Sequence, residues 1–272
     1  MSDFKPTVKV CGSIGEISEA ARQIILAEIH KRTNPERPVV LALSGGSTPK
    51  KLYEELHAHD LDLLKMHSVL FILGDERLLP PEDEQSNFAM ATKALLRDVP
   101  AEDVIALDVS AALATSTDEK AGVEGAWKVA AGYEKELLQR LPLSRRAGTD
   151  SAVEAVPSVD IVLLGFGSDG HTASIFPDSI AAHDAEHLVS VSFPSPTMSP
   201  KVWRITLSKK IITNAKQVVV LAGGKDKNWV VQGVLEGQAP DPSPISRFLR
   251  DCKGTVTFLL DAGSGEGISP AS

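Results

Sequence analysis

A histidine set in a glycine-rich loop at the end of an aliphatic run is the residue in this chain best suited to move a proton. The run Val159 to Leu164 leads into Gly165-Phe166-Gly167-Ser168-Asp169-Gly170-His171-Thr172-Ala173-Ser174-Ile175-Phe176-Pro177. Imidazole exchanges protons near neutral pH, and a carboxylate two residues earlier, Asp169, suits a general base with an orienting partner. Gly165 to Gly170 also matches G-x-G-x-x-G, a weak signal for dinucleotide binding. The sequel argues against that use: Pro177 interrupts the long helix a dinucleotide fold needs, and His171 would face the pyrophosphate. The remaining histidines, His30, His57, His59, His67, His183 and His187, lie in polar segments and read as surface. No second His or Cys stands at ligand spacing from His171, so no metal is expected.

Three further loops follow aliphatic runs. Val39 to Leu43 leads into Ser44-Gly45-Gly46-Ser47-Thr48-Pro49. With Thr48 as N-cap and Pro49 at the first helical position, free amides, hydroxyls and the positive helix end would hold a phosphate. The same residues also suit a plain strand-to-helix turn, and the Lys-Ser/Thr ending of a nucleotide-triphosphate loop is missing. Val69 to Leu73 leads into Gly74-Asp75-Glu76-Arg77, with Ser86-Asn87 beyond. Charges directly after a buried strand are paired or used; Arg77 either closes a local ion pair or meets a substrate oxygen with Asp75 or Glu76 orienting it. Arg204 lies inside the alternating run Trp203 to Leu207, and Gly223-Gly224-Lys225-Asp226-Lys227 opens a helix. Either cation would serve on a wet surface, but a lysine at a helix start opposes the helix dipole unless an anion neutralises both.

The elements that must position these loops are legible from periodicity. Aliphatic runs at Val39 to Leu43, Val69 to Leu73, Val159 to Leu164, Gln217 to Leu221 and Val256 to Leu260 alternate with helical segments after Ser13 and over Pro49 to His57, Asn87 to Arg97, Ala121 to Arg140 and Lys227 to Glu236. That alternation predicts an α/β protein, a three-layer αβα arrangement on a mainly parallel, Rossmann-like sheet, with chemistry at the carboxyl ends of the strands. Ala111 to Gly125 and Leu143 to Ser158 read as exposed connections. Residues 1–262 read as one domain, and the Gly, Ser and Pro-rich 263–272 as a disordered tail.

With 272 residues, 43% hydrophobic and 24% charged, the chain is an ordinary globular length and composition. Its net charge of -8, from 28 basic against 36 acidic residues, disfavours nucleic acid or an anionic membrane as the main partner. Two cysteines, Cys11 and Cys252, make no disulfide scaffold. Met1 to Val10 lacks the apolar core of a secretory signal, and no apolar run reaches membrane-spanning length, so a cytoplasmic protein is expected.

Taken in order, Leu43 to Pro49, Gly74 to Arg77 with Ser86-Asn87, Gly165 to Pro177, Arg204 to Leu207 and Gly224-x-x-Lys227 resemble the 6-phosphogluconolactonase family of the glucosamine/galactosamine-6-phosphate isomerase superfamily. Asp169-Gly170-His171-Thr172-Ala173-Ser174 is the most specific stretch; Ile175 stands where Leu is usual, and the two connections look long. The resemblance implies hydrolysis of 6-phospho-D-glucono-1,5-lactone to 6-phosphogluconate, in the pentose phosphate pathway, without metal or cofactor, by a monomer or weak dimer. It implies that His171 deprotonates water, Asp169 orients it, Arg77 meets the lactone or its oxyanion, and Asp75 supports the loop. Gly45, Gly46, Ser47, Thr48, Arg204 and Lys227 would surround the phosphate. The related amino-sugar phosphate deaminases carry a glutamate five residues after the histidine, where this chain has Phe176. A non-catalytic sugar-phosphate sensor would keep Ser47, Thr48 and Lys227 yet tend to lose His171 or Arg77. Ser174 follows His171 by three residues, but no nucleophile elbow surrounds it.

Overall fold

The computed structural model describes residues 4–268 apart from 33, 35–36, 68, 114–118, 148–152, 194–197 and 237–243. Along the chain lie β1 (Thr7–Val10), α1 (Ile14–His30), β2 (Val39–Leu43), α2 (Ser47–Met66), β3 (Val69–Leu73), β4 (Asp75–Arg77), α3 (Asn87–Ala94) and β5 (Val104–Ile105). Then come α4 (Ser110–Leu113), α5 (Glu119–Arg140), β6 (Leu143–Ala147), β7 (Val153–Pro157), β8 (Ile161–Leu164), α6 (Ile180–His183), β9 (Val189–Ser192), β10 (Arg204–Leu207), α7 (Lys209–Asn214), β11 (Gln217–Ala222), α8 (Asn228–Glu236) and β12 (Thr255–Leu260). Seven strands form a parallel sheet in the order β1-β12-β11-β8-β2-β3-β5.

The near-continuous aliphatic character of the central strands follows from burial of both sheet faces. On β2, Val40 and Ala42 pack toward α5 and α8 with Ala126, Val129, Leu137, Val230 and Val231. Their neighbours Val39, Leu41 and Leu43 pack toward α1 and α2 with Ile17, Ile25, Leu52 and Leu56. Each fully buried Val, Leu or Ile contributes about 1.5–3 kcal/mol from removal of apolar surface. The result is the expected three-layer α/β arrangement. Ser13 caps α1 by accepting from the Glu16 amide at 3.2 Å, while the Glu16 carboxylate accepts from the Gly12 amide at 2.9 Å.

Several expectations need correction. Thr48 is not the N-cap of α2. The helix starts two residues earlier, at Ser47 with Gly46 as N-cap, because Gly46 takes φ 108°, a conformation only glycine adopts readily, and its carbonyl accepts from the Lys50 amide at 3.1 Å. Pro49 is tolerated inside the first turn, where amides have no helical acceptor. The 87–97 segment divides into α3 and a 3-10 turn over Leu96–Asp98, and α8 starts at Asn228 after a 3-10 turn that holds Lys227. The supposed connection over 143–158 contains the antiparallel hairpin β6–β7, with Val156 buried. Within 111–125, Ala112 and Gly122 are buried, and residues 114–118 lie outside the described part. The tail is not loose through Ile268: Ser264 is fully buried, donating to the Ala222 carbonyl at 2.7 Å and accepting from the Asp261 amide at 3.1 Å. Residues 269–272 lie outside the described part. No described helix is long and apolar enough to cross a membrane.

A second, three-stranded antiparallel sheet, β4-β10-β9, stands beyond the carboxyl end of β3. It is tied there by the Leu207 amide donating to the Gly74 carbonyl at 2.8 Å. Sequence order runs outward from the β8–β2 pair through β3 and β5 on one side and through β11 and β12 on the other, with β1 added at the edge, so that pair is the switch point where a parallel sheet opens a crevice.

Candidate active site

The loops after β2 and β8 flank the switch point, and the β4-β10-β9 sheet closes its side. Together they form a cleft of about 190 Å³ lined by Gly45, Gly46, Asp75, Arg77, His171 and Arg204, with Ser44, Asn87, Gly165, Phe166, Gly167 and Ala173 completing the walls. Asp169 supports His171 from outside this lining. Ser47, Thr48 and Lys227 are not part of it: Lys227 follows β11, one strand further from the switch point, and donates to the Gly223 carbonyl at 2.8 Å.

The β2 loop is held by Tyr53, whose buried hydroxyl accepts from the Ser44 amide and donates to the Ser44 carbonyl, both at 2.8 Å. Gly45 is required by close approach, since a Cβ there would lie 2.1 Å from Asn87 Oδ1. Asn87, not singled out as a site residue from sequence, donates from Nδ2 to the Asp75 carbonyl at 3.0 Å and lines the cleft. Its sequence signal is the Ser86-Asn87 pair within the family-like stretches, where Ser86 caps α3 by accepting from the Ala89 amide.

The charged run after β3 divides its labour. Glu76 does not orient Arg77. Its buried carboxylate accepts from the amides of Arg77, Asn87 and Phe88 at 2.6, 2.8 and 2.7 Å and from the Ser86 hydroxyl at 3.0 Å, so it anchors the start of α3. Burial pushes its carboxyl up, against the pull of those four donors. Asp75 accepts the Ser174 hydroxyl at 2.6 Å, which gives Ser174 a supporting role. Arg77 donates to the Gln85 carbonyl at 2.7 Å and Arg204 to the Ser199 carbonyl at 2.9 Å, while the buried Nε of each has no partner among the described residues. Arg204 is not on a wet face: it is only 4% exposed. Burial presses its guanidinium below the usual arginine range, with Asp75 opposing and Arg77 adding to the effect.

In the β8 loop, the Gly167 amide donates to the His171 carbonyl at 2.8 Å, and the Gly170 amide to the Gly167 carbonyl at 3.0 Å. This turn brings His171 Nδ1 to 2.5 Å from Asp169 Oδ1, which also accepts the His171 amide at 3.2 Å. Partial burial works against ionisation of Asp169, but the hydrogen bonds and charge of His171 outweigh it and hold the carboxyl below the usual aspartate range. An ionised Asp169 accepts Nδ1–H, the tautomer that leaves Nε2 as a base. The Phe176 ring stacks on the imidazole at 4.2 Å between centroids and lies under the Arg204 guanidinium carbon at 5.3 Å. Among the described residues, no three His, Cys, Asp or Glu side chains gather as a metal ion would need. The cleft therefore offers an oriented base beside two guanidinium groups and a glycine loop, chemistry suited to water attack on an anionic acyl compound.

The chain belongs to the family of glucosamine-6-phosphate isomerases and 6-phosphogluconolactonases, whose model matches residues 13–258. Several of its relatives carry the name 6-phosphogluconolactonase. A protein of that name from Nostoc sp. is 32% identical over 268 residues, covering 98% of this chain and all of the relative. The crystal structure of 6-phosphogluconolactonase from Leishmania guyanensis is 68% identical, with a TM-score of 0.92 over 98% of this chain and 100% of that one. The Trypanosoma brucei enzyme of the same name is 43% identical, with a TM-score of 0.88 over 98% of this chain and 100% of that one.

Proposed function

We propose that this chain is a 6-phosphogluconolactonase, hydrolysing 6-phospho-D-glucono-1,5-lactone to 6-phosphogluconate in the pentose phosphate pathway. The observation that carries the mechanism is the 2.5 Å contact between His171 Nδ1 and Asp169, in a cleft shared with Arg77 and Arg204. His171 Nε2 takes a proton from water as the water oxygen bonds to C1 of the lactone. The carbonyl electron pair becomes an oxyanion that meets Arg77, whose buried Nε has no partner among the described residues. The oxyanion then reforms the carbonyl, the bond from C1 to the ring oxygen breaks, and the ring oxygen takes the proton back from His171. Binding of the remote phosphate by Gly45, Gly46, Ser47, Thr48, Arg204 and Lys227 would hold C1 beside the base.

A lactone is an activated ester, so a positioned imidazole suffices without a covalent nucleophile, metal or cofactor. The reading extends to a cytoplasmic monomer or weak dimer acting on a small soluble sugar phosphate, with neither nucleic acid nor membrane as partner. The net charge of -8 supports the last part, weighing against nucleic acid or an anionic membrane.

The test generates the lactone in place with glucose-6-phosphate dehydrogenase and follows oxidation of 6-phosphogluconate against the spontaneous rate. The wild type accelerates hydrolysis; His171→Ala loses roughly 100-fold or more yet still binds product, and Lys227→Ala chiefly raises KM. Wild-type turnover by His171→Ala would overturn the mechanism. No acceleration by either protein would turn attention to glucosamine-6-phosphate deamination, and then to a sensor that binds 6-phosphogluconate without turnover.

A further inference from the structure

Phe176 is apolar, 4% exposed and has no proton to give, yet it touches both chemically active parts of the cleft. Its ring stacks on the His171 imidazole, 4.2 Å between centroids with the planes 27° apart, and the Arg204 guanidinium carbon lies over it at 5.3 Å. The backbone of Phe176 is pinned in turn. Its amide donates to Ser179 Oγ at 3.1 Å, and its carbonyl accepts from the same hydroxyl at 2.8 Å and from the Ser179 amide at 3.0 Å. His171 otherwise hangs from one loop: Asp169 fixes a single ring nitrogen, which leaves the imidazole plane free to swing about that bond. A face-to-face aromatic contact removes that freedom, and the same π surface favours positive charge on the groups beside it.

We propose that Phe176 is a positioning residue for hydrolysis, holding the imidazole plane so that Nε2 stays aimed at the attacking water and tying the base to the arginine that binds the substrate anion. This rests on His171 being the base, as argued above. Phe176→Met keeps an apolar side chain of similar volume and removes the ring; Phe176→Tyr keeps the ring. The expected result for Phe176→Met is a fall in kcat of roughly tenfold, with KM within about twofold of wild type, because misorientation weakens the chemical step rather than binding. Phe176→Tyr restores most of kcat.

A second measurement needs no turnover. The imidazole proton resonances of His171, identified as those missing in His171→Ala, sit in the ring current of Phe176 and move downfield in Phe176→Met but not in Phe176→Tyr. Unchanged kcat in Phe176→Met, a loss shared equally by Phe176→Tyr, an effect confined to KM, or unmoved resonances would each overturn the proposal. A wild type that does not hydrolyse the lactone would instead overturn the lactonase reading, and the resonances would still report whether the ring holds the imidazole.

Discussion

Gly167→Ala is the sharpest probe of the catalytic loop. Its φ lies outside the left-handed region, so alanine is compatible with the backbone and only space opposes it. A Cβ built there lies 2.2 Å from both Cε1 and Nδ1 of His171 and 2.5 Å from Asp169 Oδ1, whereas ordinary contact begins at 3.4 Å. Relief therefore moves the imidazole by about 1.2 Å, the difference between 3.4 and 2.2 Å, and pulls it off the carboxylate that sets its tautomer. Misplacement of that size costs about 100-fold in kcat, equivalent to about 2.7 kcal/mol of transition-state stabilisation. The coupled lactone assay reads this directly, with thermal unfolding run alongside. Gly132→Ala is the matched control: no atom lies within 4 Å of a Cβ there, in the middle of α5. It should leave kcat unchanged and stabilise the helix by about 0.5–1 kcal/mol. Turnover within threefold of wild type in Gly167→Ala would refute the idea that this glycine exists to let the imidazole and carboxylate meet.

Two further perturbations test the supports of the cleft. Glu76→Gln puts an amide nitrogen against donors that now face a carboxylate, leaving at least one buried N–H unmatched; a loss of about 1–3 kcal/mol is expected in urea unfolding, and an unshifted midpoint would remove Glu76 as the anchor of α3. At Asp261, burial opposes ionisation, but donation from Ser264 and from the Gly224 amide outweighs it and holds the carboxyl below the usual aspartate range. Its stabilising effect is therefore present above pH about 4 and fades as pH falls through the depressed folded value. The Tm difference between wild type and Asp261→Asn should be largest near neutral pH and shrink in acid; a gap that stays constant into strong acid would contradict this.

Much of this arrangement was legible before any coordinates. The aliphatic runs ending at Leu43, Leu73 and Leu164 gave the parallel sheet and its carboxyl edge, and the dense glycines before His171 marked that histidine out from its six counterparts. Residues adjacent in sequence, such as Asp169 and His171, could be paired because a tight turn brings them together. The opposite holds for Arg204 and Phe176. Each sits in an apolar stretch whose local pattern says only strand or core; the Arg204–Phe176 contact comes from long-range packing, and the Phe176–His171 stack from a turn geometry that residue types alone do not specify. Lys227 shows the limit of local reading: a helix-start lysine suits a phosphate, but strand order places its loop one position from the switch point, so its proposed role needs a substrate that reaches past the cleft lining. Glu76 was misjudged for a related reason, since its capping partners Asn87 and Phe88 lie beyond an intervening loop.

Arg77 and Arg204 occupy opposed positions of the β4–β10 ladder, so the backbone itself fixes two guanidinium groups side by side on one face. Like charges placed directly across antiparallel strands repel, and water offers Arg204 little screening at its depth. Burial, with Arg77 adding to it, outweighs the pull of Asp75, Glu76 and Asp169 on Arg204, and an anion arriving beside the two guanidinium groups relieves that cost. Ligand affinity and fold stability are consequently drawn from one source: a compound bearing two negative charges should tighten the whole molecule on binding, and a neutral analogue of the same shape should not.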